Sequence, residues 1–331
     1  MSKKWLLLIP KILVSAALIM FVVSRADLTA VEDRALQMAP EMLLLAALVF
    51  LVQYVVCAVR WRAALVPLGA RISFFRVLRL LYIGTFFHQT LPASVGGDAV
   101  RTYLVYRDGV GLRAAISAIM LERLATVAGL VLVVALVQPA FRVRAGEAAA
   151  AWLGPVAMIG LAAVVGGTAL LALLDRTPPS WRRGRLMAAL ANLAVDTRTV
   201  FFSPGPALRI LGWAALGHAN LVLSVFVLAR GLGLDVGLID CAALFLPVLL
   251  VTALPISVAG WGVREGSMVY AFGLIGVAAA DAVVLSVLYG FLALVLALPG
   301  GVVWLATGAR AADVAARLAE AEAPAPGRRG A

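Results

Sequence analysis

Residues 91–101 read LPASVGGDAVR, and residues 254–264 read LPISVAGWGVR. Aligned without gaps, 7 of the 11 positions are identical, whereas chance in a chain of this composition would give about one. Each stretch interrupts a long apolar segment with proline, serine and glycine, and each ends on an arginine. The motif starts at Leu91 and recurs at Leu254. This recurrence predicts two copies of one structural unit at a fixed offset in the chain.

The composition is that of a membrane protein. Of the 331 residues, 63% are hydrophobic and 14% are charged, against about 45–50% and about 25% in soluble domains. Too few polar side chains remain to cover the surface of a water-soluble globule. The apolar residues also come in long blocks, which excludes disordered, collagen-like and coiled-coil chains.

The apolar blocks predict an all-α integral membrane protein with eight membrane elements. Six of these are expected to be full transmembrane helices, and two are expected to be broken or re-entrant helical hairpins. The first block starts with two lysines, but Pro10 and Lys11 interrupt it and no good cleavage site follows, so we interpret it as an uncleaved helix. The predicted helices lie near 5–24, 41–60, 114–137, 150–174, 207–229 and 281–307, and the predicted hairpins near 74–107 and 238–273.

The repeat and the distribution of charge predict the topology. We expect one transmembrane domain over 1–308, with repeat one at 41–137 and repeat two at 204–300, and a disordered tail at 309–331. If each hairpin leaves the membrane on the face where it entered, most arginines lie on the same side of the membrane as the N-terminus. The positive-inside rule then places both termini in the cytoplasm. With that orientation the second copy is inverted relative to the first.

Each break is a candidate anion-binding site. The helix after the first break is expected to have Asp98 at its N-cap, and its free amide groups together with Arg101 predict a phosphate cradle. Alternatively, the glycines act only as hinges and the arginines extend to lipid headgroups. The predicted helix breaks are Pro92 and Pro255, and the predicted headgroup-binding residues are Ser94, Gly96, Gly97, Asp98, Arg101, Ser257, Gly260, Gly262, Arg264 and Glu265.

A second candidate feature is the pair Glu122-Arg123, which lies inside an apolar helix. Charges at such depth face a cavity or a partner. The pair is therefore either functional, as a site wall or a proton-linked switch, or structural, as an ion pair that locks two helices together, and both hypotheses stay open here. His88 and His218 are single histidines without ligand spacing, so we expect neither a metal nor a cofactor.

These motifs resemble the lysylphosphatidylglycerol synthase transmembrane, or flippase-like, family over about residues 5–307. The resemblance is carried by the two breaks and by the triplet Glu122-Arg123-Leu124. It implies a bacterial inner-membrane protein that translocates an aminoacylated phospholipid, a glycolipid or a polyprenyl-linked sugar. Full synthases add a soluble acyltransferase domain, whereas this sequence ends shortly after the last predicted span, so we do not expect aminoacyl transfer. Ala259 also stands where the first copy has Gly96.

The sequence thus favours a lipid transporter over an enzyme. The alternatives are an integral-membrane enzyme of polyprenyl or glycolipid glycosylation and a partner subunit of such an enzyme. We do not expect catalysis, because the loops on the outer side are short and carry no acidic pair beside a nucleophile. The expected partners are anionic or phosphate-containing membrane lipids, with a lipid-modifying enzyme as a possible second partner. Nucleic acid is not expected, because the arginines are spread over short loops.

Overall fold

The computed structural model describes residues 38–90, 96–151, 153–176, 184–252 and 260–306. Within these ranges the chain forms helices and turns and no strand, which confirms the all-α prediction there. The predicted first helix at 5–24, the tail at 309–331 and four break residues lie outside the described residues. Those four are Pro92, Ser94, Pro255 and Ser257.

The described part of the chain contains ten α-helices. Short 3₁₀ turns follow the first and the fifth of them, at Val66–Leu68 and Leu174–Arg176. The α-helices are α1 (Pro40–Leu65), α2 (Phe74–Thr90), α3 (Gly96–Arg107), α4 (Leu112–Ala150), α5 (Leu153–Leu173), α6 (Arg185–Phe201), α7 (Pro204–Gly231), α8 (Leu238–Thr252), α9 (Val263–Gly273) and α10 (Ala279–Ala306).

Four helices in the described residues are long and apolar enough to cross a bilayer, namely Pro40–Leu68, Leu112–Val143, Pro204–Gly231 and Ala279–Ala306. A span needs roughly 20 apolar residues, because a helix rises about 1.5 Å per residue across about 30 Å of hydrocarbon. Their outward faces expose large apolar side chains, as a lipid-facing surface requires. The predicted span at 150–174 corresponds to α5, and the count of eight membrane elements stays a prediction.

The two predicted hairpins are present as helix pairs. Hairpin one is α2 with α3, and hairpin two is α8 with α9. Gly260 and Gly262 have φ of +81° and +83°, a region that favours glycine, and they end the break before α9. One detail of the sequence analysis is wrong: α3 begins at Gly96, so Asp98 lies in its first turn and not at its N-cap.

Helix α6 was not predicted from the sequence, in which no helix was expected between the spans near 150–174 and 207–229. This helix has no long apolar run. Its buried side chains instead recur at helical spacing, at Ala194, Thr197 and Val200. Asp196 on the same helix accepts hydrogen bonds from Arg113 and Ser117 of α4. The helix therefore packs along the bundle through one face.

The apolar core consists of two clusters at opposite ends of the helix bundle. The first apolar cluster joins the C-terminal half of α1 (Trp61, Leu65) to the N-terminal half of α7 (Ile210, Ala214). The second joins the N-terminal half of α1 to the C-terminal half of α7. Helices α1 and α7 are therefore antiparallel. Hairpin one packs in the first cluster and hairpin two in the second, so the hairpins lie at opposite ends.

Candidate functional site

A cavity of about 180 Å³ opens beside the break of hairpin one. It lies among α1, α2, α3 and α4, within a bundle whose outer faces are apolar. Five charged side chains and one histidine line it: Arg60, His88, Asp98, Arg101, Glu122 and Arg123. A polar cavity of this kind is the setting in which non-helical backbone is tolerated at membrane depth.

Glu122 is the centre of the charged cluster and is only 2% exposed. Its Oε1 accepts hydrogen bonds from Nε and Nη2 of Arg60 at 2.9 and 2.5 Å. Its Oε2 lies 3.4 Å from both Nη atoms of Arg101. The carboxylate therefore joins α4 to α1 and α3. Glu122 thus forms a buried ion pair between helices and also lines the cavity, and a proton-linked role stays a prediction.

Arg123 forms a second ion pair at the mouth of the cavity. Its Nε and Nη2 donate to the two carboxylate oxygens of Asp98, each at 2.8 Å. Asp98 Oδ1 also accepts from Arg101 Nη1 at 3.3 Å within the same turn of α3. This geometry is the two-pronged contact that arginine makes with a carboxylate. Three arginines thus face two carboxylates, which leaves one positive charge.

Of the three arginines that line the cavity, Arg101 has the weakest contacts with carboxylates. It is 6% exposed, and its Nε has no hydrogen-bond partner among the residues that the structure describes. Its guanidinium carbon lies 4.1 Å from the centre of the Trp61 ring, a cation–π contact that holds the group in place without using its donors. Its contacts to Glu122 are long for charge-assisted bonds, which are usually about 2.7–2.9 Å. Arg101 is therefore held less tightly by the two carboxylates than Arg60 and Arg123 are.

Gly97 allows the two helices of hairpin one to approach each other. A Cβ at this position would lie 2.5 Å from the carbonyl oxygen of Gly84 and 2.7 Å from Cβ of His88. The structural role of Gly97 is thus close helix packing. The same packing places Arg101 against Gly84 of α2.

Replacing Gly97 with alanine should destabilise hairpin one. The expected loss is about 1–3 kcal/mol, because backbone and not a flexible side chain must move to admit the methyl group. Thermal unfolding of the purified protein in detergent measures this loss. Gly212→Ala is the matched control, since Gly212 lies in α7 with open space around it, and an unchanged melting temperature for both variants would contradict the packing role.

Hairpin two uses its arginine differently. Arg264 Nη2 donates to Oε1 of the adjacent Glu265 at 2.9 Å, and Arg264 Nε donates to Ser286 Oγ at 3.1 Å. Glu265 Oε2 accepts from the amide of Gly262 at 2.6 Å, which satisfies the N-cap amide at the start of α9. Both charged residues are buried. Arg264 is therefore neutralised within its own hairpin.

The structure brings most of the predicted site residues together, in two groups. Gly97, Asp98, Arg101, Glu122 and Arg123 line the cavity of hairpin one. Gly260, Gly262, Arg264 and Glu265 form the start of hairpin two's second helix, and Gly96 is the first residue of α3. The two groups belong to opposite ends of the bundle.

Arg60 was not among the site residues predicted from the sequence. A usable signal was the polar spacing of Gln53, Cys57 and Arg60, which places all three on one face of α1. His218 Nε2 lies 2.8 Å from the carbonyl oxygen of Thr126, which confirms its hydrogen-bonded position in a helix. Among the described residues, no group of three or more His, Cys, Asp or Glu side chains could hold a metal ion.

Comparison with known proteins identifies one family. The family described as lysylphosphatidylglycerol synthase TM region matches residues 8–301 of the 331-residue chain. No curated protein and no solved structure matches the chain. The match covers both hairpins, the Glu122-Arg123 pair and all ten described helices except the last residues of α10.

Proposed function

We propose that this chain, which belongs to the lysylphosphatidylglycerol synthase transmembrane family, moves a phosphate-containing modified lipid between the leaflets of a bacterial inner membrane. The family supports a multi-pass membrane protein of lipid modification or translocation. The lipid is an aminoacylated phospholipid, a glycolipid or a polyprenyl-linked sugar. The observation that carries the proposal is the cationic cavity at hairpin one, inside an otherwise apolar bundle.

The cost of buried charge supports a binding role for this cavity. Ionisable groups within a membrane-spanning bundle are expensive, and they usually mark a substrate or ion pathway. Arginine is suited to phosphate because its planar donors match two phosphate oxygens at once. Arg101 lines the cavity, and its Nε has no hydrogen-bond partner within the described residues. We assign it the headgroup phosphate.

An inverted repeat would expose such a site to both leaflets. The offset that brings Leu91 onto Leu254 also brings α1–α4 onto α7–α10 in order, with only small differences at the start of each helix. The first helices of the two copies are antiparallel, and the two hairpins lie at opposite ends of the bundle. These features support a two-fold axis in the membrane plane, as in alternating-access transporters.

The arginines support an orientation for this arrangement. Hairpin one begins and ends near a group of arginines at the same end of the bundle: Arg62, Arg71, Arg76, Arg79 and Arg107. The positive-inside rule assigns this end to the cytoplasm, with both termini on the same side. Hairpin one then receives the lipid from the inner leaflet. Hairpin two faces the outer leaflet, where Arg264 exchanges Glu265 for the phosphate as the headgroup passes.

The test is a translocation assay in proteoliposomes. Acyl-labelled fluorescent lipids are incorporated symmetrically, and an impermeant reductant bleaches the label in the outer leaflet. The probes are lysylphosphatidylglycerol, a phosphodiester-linked glycolipid and a polyprenyl-phosphate sugar. We expect the purified protein to extend bleaching beyond the outer half for at least one probe. Bleaching that stops at the protein-free level for all three would contradict translocation and favour a partner subunit or an enzyme.

A further inference from the structure

The charges around the hairpin-one cavity nearly cancel. Arg60, Arg101 and Arg123 are opposed by Glu122 and Asp98. Among the described residues that line the cavity, the sum is therefore one positive charge, with His88 neutral.

Among the three cavity arginines, only Arg101 has a fully buried nitrogen without a hydrogen-bond partner within the described part of the chain. Arg60 is held by Glu122 through two short bonds, and Arg123 is held by Asp98 through two more. Arg101 makes only long contacts with these carboxylates, and its Nε is unpaired within the described part of the chain. The net charge of the described lining residues therefore matches one anionic charge.

We propose that this cavity selects a lipid whose headgroup presents a single negative charge, a phosphodiester, over a phosphomonoester. The proposal rests on the translocation function above and adds the charge class of its substrate. A phosphomonoester carries about −1.5 to −2 charges at pH 7. Its second charge would have no partner in the cavity, and an unpaired charge away from water is costly. A phosphodiester leaves the filled site neutral.

The pair Asp98–Arg123 allows the charge of the cavity to be changed without emptying its core. Its side chains are 14% and 46% exposed, and Arg101, the buried second partner of Asp98, keeps its contacts with Glu122 when Asp98 is replaced. Asp98→Asn raises the net charge to two, and Arg123→Gln lowers it to zero. The double variant restores a net charge of one. The three variants and the wild type form a charge series, and the double variant separates the effect of charge from that of the shorter side chain at position 123.

The experiment measures which lipid the purified protein retains. Dioleoyl phosphatidylglycerol and dioleoyl phosphatidic acid have the same chains and differ in their phosphate esters. Native mass spectrometry at pH 7.5 gives the bound ratio. We expect the wild type and the double variant to favour phosphatidylglycerol. Asp98→Asn should shift the ratio towards phosphatidic acid by about tenfold, because charges a few ångströms apart interact strongly at an effective dielectric of about 20. Arg123→Gln should weaken the binding of both lipids.

A matched control uses a similar pair elsewhere. Arg113 and Asp196 also form an ion pair, with side chains 51% and 11% exposed, and neither lines the cavity. Asp196→Asn and Arg113→Gln should leave the lipid ratio unchanged. A shift in these controls equal to that of Asp98→Asn would overturn the proposal, because the effect would then follow the net charge of the whole protein.

The outcomes separate this proposal from the function on which it rests. Binding that depends on Arg101 but favours phosphatidic acid in the wild type would overturn the charge selection and leave translocation intact. A ratio of bound phosphatidylglycerol to phosphatidic acid that stays constant across the charge series would also overturn the charge selection and leave translocation intact. Lipid binding that is unaffected by Arg101→Ala would instead remove the headgroup site itself, and the translocation proposal with it.

Discussion

Replacing Arg101 with alanine should reduce lipid translocation in proteoliposomes by about thirtyfold or more. Removing one partner of a buried, hydrogen-bonded charge pair costs about 2–5 kcal/mol of binding, and about 1.4 kcal/mol corresponds to tenfold. In this chain the lost partner is the group that we assign to the headgroup phosphate. The assay is the rate of bleaching of the labelled lipid, normalised to the amount of reconstituted protein.

The Arg101 variant is expected to fold. Glu122 keeps its two short bonds to Arg60 when Arg101 is absent, so no buried carboxylate is left without a partner. Asp98 likewise keeps Arg123. Gel filtration and a melting temperature near that of the wild type are the checks. Loss of both folding and transport would make the variant uninformative about binding, and Arg101→Lys then takes its place.

Arg101→Lys retains the charge but not the planar fork of donors. We expect it to transport more slowly than the wild type and faster than the alanine variant, because lysine binds phosphate as a point charge. The control is Arg113→Ala, which removes an arginine that is outside the cavity. Wild-type transport by Arg101→Ala would contradict the role of this residue.

Replacing Glu122 with alanine should destabilise the protein by about 3–5 kcal/mol, the usual cost of breaking a buried ion pair from one side. The change leaves Arg60 and Arg101 buried together, without the carboxylate that joins them. Thermal or denaturant unfolding in detergent measures the loss. The control is Glu147→Ala, whose side chain is 76% exposed, and it should not change the melting temperature measurably.

The second repeat suggests a variant that recovers stability. At the offset between the two copies, Arg60 corresponds to Leu223. Glu122 corresponds to Leu285, so the equivalent positions of repeat two are both apolar. Replacing a buried ion pair with apolar residues is often neutral or stabilising. The double variant Arg60→Leu with Glu122→Leu should therefore be more stable than Glu122→Ala. Equal losses of stability in the double variant and in Glu122→Ala would mean that the broken ion pair is not the cause of the destabilisation.

The hairpins could be predicted from sequence because their signal is local. The breaks before Gly96 and Val263 contain proline or glycine, which interrupt a helix. The same motif occurs in both copies, more often than chance predicts. Glu122-Arg123 could be identified as special for a similar reason, since two charges inside one apolar helix are conspicuous. Helix α6 was missed because an amphipathic helix at the surface has no long apolar run.

The pairing of the charges could not be predicted. Arg60 and Glu122 are far apart in the chain, and the packing of α1 on α4 brings them together. The two repeat arginines also look equivalent in sequence, yet Arg101 pairs with a carboxylate of the next span and Arg264 with its own neighbour. Such partners depend on tertiary packing, which neither periodicity nor spacing contains. The single positive charge of the cavity follows only from the assembled cluster.

The central claim is that the two hairpins enter the membrane from opposite faces. Single cysteines at the bases of the hairpins test it most directly, in a background with Cys57→Ala and Cys241→Ala. Arg71 and Asp235 suit this purpose, because both are exposed in the loops that precede hairpin one and hairpin two. An impermeant thiol reagent is applied to sealed vesicles of known orientation. We predict that Arg71→Cys reacts only from the cytoplasmic side and Asp235→Cys only from the other side. Reaction of both from the same side would contradict the account.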